Sequence, residues 1–127
     1  MGEYIEPHFS RSALITIDTQ NDFTLDGAPV QIEGTKEIIP NMVSILNAYR
    51  EHQLPIIHVI RLYARDGADA ELCRQDIIEK GQAIVAPGSP GADLVEALKS
   101  NPDTKLNEHE LLSGQFQKIG PNEFIMY

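Results

Sequence analysis

Two apolar runs of strand length are joined by one stretch of helical periodicity, and no other feature constrains the fold as strongly. The runs are Ala13-Leu14-Ile15-Thr16-Ile17-Asp18, closed by its carboxylate, and Pro55-Ile56-Ile57-His58-Val59-Ile60. A strand covered on both faces reads as a continuous apolar run, not an alternating one. Between them, Ile38, Ile39, Met42, Ile45, Leu46 and Tyr49 recur at helical spacing and predict a helix over 36–52. Thr35 is placed to cap it, and Pro40 falls in the first turn, where a missing N–H is tolerated. Strand, helix and strand in this order imply a parallel pair with a right-handed crossover.

The same grammar continues downstream. Asp26-Gly27-Ala28-Pro29 and Asp66-Gly67 are turn chemistry. Residues 70–81 read as a short helix ended by Gly81. Ser89 and Pro90 suit the cap and first position of a further helix running through Lys99, stopped by Asn101-Pro102. Residues 103–122 are polar, with one extended piece expected near Glu110–Leu112, and Glu123–Tyr127 supplies a third strand. There is no internal repeat. In a doubly wound sheet the first strand lies inside, with neighbours on both sides. Here strands are available for one side only. The expectation is therefore an α/β fold with an open apolar edge, an association hazard, that is incomplete or is completed by another polypeptide.

With 127 residues and 42% hydrophobic content, the chain is read as one domain over 1–127. A net charge of −9 argues against nucleic acid or an anionic membrane as partner. No apolar stretch is long enough to span a bilayer, and Met1-Gly2-Glu3-Tyr4 has no signal-peptide character. The lone cysteine, Cys73, precludes an internal disulfide and predicts a cytoplasmic setting.

The candidate site begins at Asp18. It ends the first apolar run, where ligands of open α/β sheets bind, and its competing role is to cap the turn that follows. Asp18-Thr19-Gln20-Asn21-Asp22-Phe23 resembles the corresponding turn of the isochorismatase-like cysteine hydrolases. The similarity continues through His58-Val59-Ile60-Arg61-Leu62-Tyr63, Gly88-Ser89-Pro90-Gly91-Ala92-Asp93-Leu94 and Phe124-Ile125-Met126-Tyr127. The resemblance implies a three-layer α/β/α sandwich around a mostly parallel, Rossmann-like sheet. It also implies an Asp-Lys-Cys catalytic set, in which Asp18 matches the Asp while the Lys and Cys positions fall beyond Tyr127. In that chemistry a thiolate attacks an amide or carbamoyl carbon, and the carboxylate carries the proton from thiol to leaving amine. Relatives that cleave the vinyl ether of isochorismate keep the carboxylate as the acid–base group.

Other residues are weighed against plain structural roles. Phe23 and Tyr63 could line a pocket beside Asp18 or simply pack. Arg61 could grip a substrate carboxylate or pair with an acidic neighbour. Gln20 could contact substrate or hold Asp18 and nearby backbone. Cys73 lies within the helix predicted over 70–81 and reads as structural. His58 reads as a hydrogen-bonded core residue, and His8, His52 and His109 are scattered, so neither metal nor cofactor is expected. Gly88-Ser89-Pro90-Gly91 lacks the spacing and lysine of a phosphate loop. Three readings remain. The chain is part of a hydrolase of small amides or carbamoyl compounds, homo-oligomeric as the resemblance implies. Alternatively it is a truncated non-catalytic chain that associates through its open edge, or a flavodoxin-like binding module.

Overall fold

A computed structural model describes residues 2–104 and 113–127. The extended piece expected near Glu110–Leu112 lies outside the described residues. Strand β1 (Leu14–Ile17), the short helix α1 (Asn21–Thr24), helix α2 (Ile39–Glu51) and strand β2 (Ile56–Val59) form the anticipated strand–helix–strand unit. Helix α3 (Leu72–Glu79), strand β3 (Gln117–Lys118) and strand β4 (Glu123–Met126) follow. The sheet order is β1-β2-β4-β3, with β1, β2 and β4 mutually parallel and β3 antiparallel to β4. No helix among the described residues is long and apolar enough to cross a membrane.

Register explains the core. Leu14, Ile56 and Glu123 align across the sheet, as do Thr16, His58 and Ile125. These residues share the face covered by α2, where Leu46, Ile56, Val95 and Leu98 form a buried cluster. The opposite face carries Ile15, Ile57 and Phe124 in one row and Ile17, Val59 and Met126 in the next. All of these are apolar and half-buried or exposed, with Ile15 at 55% and Ile17 at 66% exposure. Within the described residues the sheet is therefore clothed on one face. The second helical layer of the sandwich is not built from them.

Both long helices end in the same way. At α3, Gly81 adopts φ +90°, its N–H donates to Ile78 and that of Gln82 donates to Ile77. This is the doubly bonded left-handed cap that glycine favours. At α2 the same bonds run from Gln53 to Arg50 and from Leu54 to Tyr49, but Gln53 carries the positive φ, at 55°. A β-carbon in that conformation costs about 1 kcal/mol. Gln53→Gly should therefore raise the unfolding free energy by a similar amount, read as a higher urea midpoint at unchanged slope.

Two expectations are corrected. Thr35 does not cap α2, because its hydroxyl donates to the Ile32 and Phe23 carbonyls. The helix expected from Ser89 to Lys99 is instead two 3-10 turns, Pro90–Ala92 and Glu96–Leu98. Ser89 does cap the first, accepting from the Ala92 N–H at 3.2 Å. Between the turns the chain is drawn out straight. Asn21 N–H donates to Asp93, Val95 N–H donates to Thr19, and Gln20 bridges to Leu94. Tertiary pairing outweighs local helix propensity here.

Candidate functional site

The hexapeptide after β1 is a knot of backbone contacts, to which most of its side chains contribute. Gln20 is fully buried. Its amide nitrogen donates to the Arg61 carbonyl at 2.7 Å and the Ala92 carbonyl at 2.8 Å, and its amide oxygen accepts from the Arg61 N–H at 2.7 Å. Asn21 donates to the Pro90 carbonyl at 2.8 Å. Asp22 accepts from the Val85 N–H at 2.7 Å. Phe23 is buried in a cluster with Val30, Tyr63, Ile78, Ile84, Val85 and Ala92. One turn therefore fastens the segments around 61, 85 and 90–95 to the end of β1.

Val85 shows what this fastening sustains. It is a buried, β-branched residue at φ +39°, a conformation that costs on the order of 1–3 kcal/mol and persists only where neighbours impose it. Gly91 abuts the same carboxylate, since a β-carbon added there would overlap both Asp22 oxygens. Asp22 is short and already pinned, so it cannot swing aside freely. Gly91→Ala should cost about 1–3 kcal/mol, seen as a lower thermal midpoint. Asp22→Ala in the same background should recover part of the steric component, so the two changes should be less than additive.

Asp18 is the member of the turn that faces outward. Its backbone is left-handed at φ +55°, which Asp and Asn tolerate better than other side chains. Its N–H donates to the Val59 carbonyl, so the residue is fixed at the carboxyl end of the parallel strands. The carboxylate lies 3.6 Å from the Arg61 guanidinium, with both side chains about one-third exposed. Arg61 also pairs with Glu71 and sits 3.5 Å from the Tyr63 hydroxyl. Tyr63 in turn donates to Glu71 at 2.7 Å. Burial, the largest influence, pushes the Tyr63 phenol above its usual range against the opposing pull of Arg61 and Arg74, so it remains a protonated donor. Asp18 also borders a groove of about 330 Å³ along the free side of β1, together with Thr19, Thr24, Thr35 and Met42.

All five residues named from sequence thus fall in one neighbourhood, with unequal access. Asp18 and Arg61 reach solvent, whereas Gln20, Phe23 and Tyr63 are buried. Gln20 holds the backbone of Arg61 and Ala92, and Arg61 pairs with Asp18 and Glu71. Cys73 is exposed and lies one residue after the first residue of α3, nearer the helix start than its sequence context suggested. Glu71 and Asp22 were not anticipated. The Asp22 carboxylate inside the turn motif was the available signal for the second. Among the described residues, no three His, Cys, Asp or Glu side chains converge as a metal would require.

Comparisons with known proteins agree with this geometry. Residues 12–118 match the Isochorismatase domain family. A protein of Arabidopsis thaliana described as a "probable inactive nicotinamidase" is 37% identical over 91 residues, covering 71% of this chain and 46% of its own. The solved structure of an isochorismatase family protein from Desulfovibrio vulgaris has a TM-score of 0.65 at 37% identity, over 70% of this chain and 47% of that one. A cysteine hydrolase from Pseudomonas syringae has a TM-score of 0.60 at 26% identity, over 74% of this chain and 44% of that one. The chain therefore spans somewhat under half the length of these relatives. The turn that holds Asp18, the parallel strands behind it and the matched residues together make this chain a member of the isochorismatase family.

Proposed function

We propose that this chain furnishes the acid–base carboxylate of a hydrolase acting on a small amide or carbamoyl compound. The observation that supports the reading is the placement of Asp18. It stands on a rigidly tied turn at the strand ends, beside one cation, at the mouth of an apolar-walled groove. A carboxylate so held is partly exposed and within reach of a bound molecule. Asp18 takes the proton of an incoming thiol as sulfur bonds to the carbonyl carbon. It returns that proton to nitrogen as the carbon–nitrogen bond breaks, and water then cleaves the thioester. The thiol and the lysine that complete this chemistry belong to polypeptide outside these 127 residues.

The test is ammonia release from a panel of small primary amides and carbamoyl compounds. The chain is assayed together with the half of the Desulfovibrio vulgaris protein that it does not match. Asp18→Asn should lower turnover by about 10²–10⁴-fold with little change in the thermal midpoint, since Asn also accepts the left-handed backbone. Cys73→Ser should leave turnover unchanged. Undiminished hydrolysis by Asp18→Asn, or loss on Cys73→Ser, would overturn the assignment. The second reading, a chain that associates without catalysing, is favoured by the description of the Arabidopsis relative as inactive. It predicts no turnover by either form in any combination.

A further inference from the structure

Among the described residues, two buried side-chain polar atoms lack a hydrogen-bond partner, Thr19 Oγ1 and Arg74 Nε. Thr19 follows Asp18 in the chain and borders the same groove. Arg74 is the third residue of α3. Ile77 and Ile78, three and four residues on, pack into the cluster of Phe23 and Tyr63, so Arg74 shares the face that α3 turns inward. Its guanidinium carbon lies 6.0 Å from the centre of the Phe23 ring, as that of Arg61 lies 5.9 Å from the centre of the Tyr63 ring. Two rings of one buried cluster thus each carry a guanidinium.

The two cations differ in how their charge is met. Arg50, Arg61, Arg74 and Lys99 are the partly buried basic side chains among the described residues. Arg50 pairs with Glu123, Arg61 with Asp18 and Glu71, and Lys99 with Asp93. Arg74 has no acidic partner among the described residues, although the chain holds 19 acids to 10 bases. A partly desolvated cation with no counterion and one unsatisfied N–H is costly. The Phe23 ring offsets part of that cost and steadies the planar group. What completes it is an anion, and a carboxylate matches its fork. The Tyr63 phenol feels Arg61, Arg74 and Asp18 together, so the uncompensated cation and the candidate acid–base group act on one shared space. From this we infer that Arg74 selects an anionic substrate: a short amide or carbamoyl compound that also carries a carboxylate, held with the carboxylate on Arg74 and the scissile carbonyl turned to Asp18. Arg61 is committed to Asp18 and Glu71, which leaves the second anion to Arg74.

This assignment names the substrate class of the activity proposed above and rests on that reading, so binding is measured apart from hydrolysis. The probes are malonamate and succinamate, each an amide and a carboxylate on one short skeleton, against the neutral diamides malonamide and succinamide. Each is titrated into the isotope-labelled 127-residue chain and followed by the backbone amide resonances around Phe23, Tyr63 and Arg74. At least one acid amide should bind about tenfold or more tighter than its diamide. Arg74→Gln, which keeps most of the stem that packs, should abolish that preference. Arg74→Lys, which keeps the charge without the fork, should retain part of it. Arg65→Gln, at an exposed cation that donates to the Pro87 carbonyl, should leave it intact. Circular dichroism of each variant should match that of the native chain. Equal binding of acid amide and diamide, no binding of either acid amide, or an undiminished preference in Arg74→Gln would each overturn the inference. In the ammonia-release assay, Arg74→Gln should raise KM for the acid amide about tenfold with kcat little changed. Turnover that favours neutral amides would overturn the inference and leave the hydrolase reading standing. Selective binding of the acid amides without any turnover would sustain the role of Arg74 and remove the catalytic proposal.

Discussion

Glu123→Ala should lower the unfolding free energy by about 3–5 kcal/mol, as expected when one partner of a buried charge pair is removed. Glu123 begins β4, yet its side chain is only 4% exposed. It pairs with Arg50 of α2 and lies 3.3 Å from His58 Nε2. His58 is fully buried, and its Nδ1 lies 2.7 Å from the Thr16 hydroxyl. Arg50 also donates to the Leu98 carbonyl at 2.7 Å. One polar chain thus crosses β1, β2 and β4 and reaches α2 beneath the apolar layer. Both ring nitrogens of His58 are thus engaged, Nε2 with Glu123 and Nδ1 with Thr16. Truncation at 123 leaves the buried His58 and the mostly buried Arg50 without that partner. A single domain has only about 5–15 kcal/mol in total, so denaturant titration should show a large drop in midpoint. Replacing Arg50, His58 and Glu123 together by apolar residues of similar volume should recover most of the loss. A loss below about 1 kcal/mol for Glu123→Ala would refute the account.

The same group sets an acid limit. Burial alone would raise the Glu123 carboxyl, but hydrogen bonds from His58 and Arg50, with their charges, outweigh it and hold the group below its ordinary value of 4.5. A depressed folded-state value means that the contribution is fully present above the unfolded carboxylate range. It is lost as pH falls through that range and below. Urea midpoints should fall between about pH 5 and the folded value in the native chain, and the fall should be shallower in Glu123→Gln.

The second large effect is expected at Gln20. Gln20→Ala leaves the Arg61 N–H and the Arg61 and Ala92 carbonyls without their bonds in a buried site. Each unsatisfied buried group costs about 1–3 kcal/mol, so a loss of 3 kcal/mol or more is expected even with some relaxation. Gln20→Glu is the sharper probe. It keeps the shape and the acceptor for Arg61 N–H but turns two donor contacts into oxygen facing oxygen. Hydrogen exchange should show the difference locally, with amides around 61 and 92–95 losing protection before those of β2 and β4.

These two residues also mark where sequence reading succeeds and where it stops. The first two strands, α2 and the third parallel strand are legible because their apolar periodicity matches their burial. The buried His58 is legible because a lone histidine in an apolar strand needs hydrogen-bond partners. The position of Asp18 follows from where the first run ends. Glu123 is not legible, because its partners lie 73 and 65 residues away and it opens an apolar strand as an ordinary acid. The clamp at Gln20 is hidden for a related reason: its partners are backbone groups, which carry no residue identity. Helix propensity over 89–99 misleads because Thr19–Asn21 pulls 93–95 into extended pairing. The hairpin of β3 and β4 escapes because β3 is two residues long, though Gly120-Pro121-Asn122 is its turn signal.

The left-handed backbone at Asp18 narrows which residues this position can hold. Few residues other than Asp, Asn and Gly occupy that conformation at low cost. One carboxylate oxygen can therefore be exchanged for nitrogen with the fold intact, whereas a bulky or β-branched replacement would disturb the turn that fastens the whole molecule.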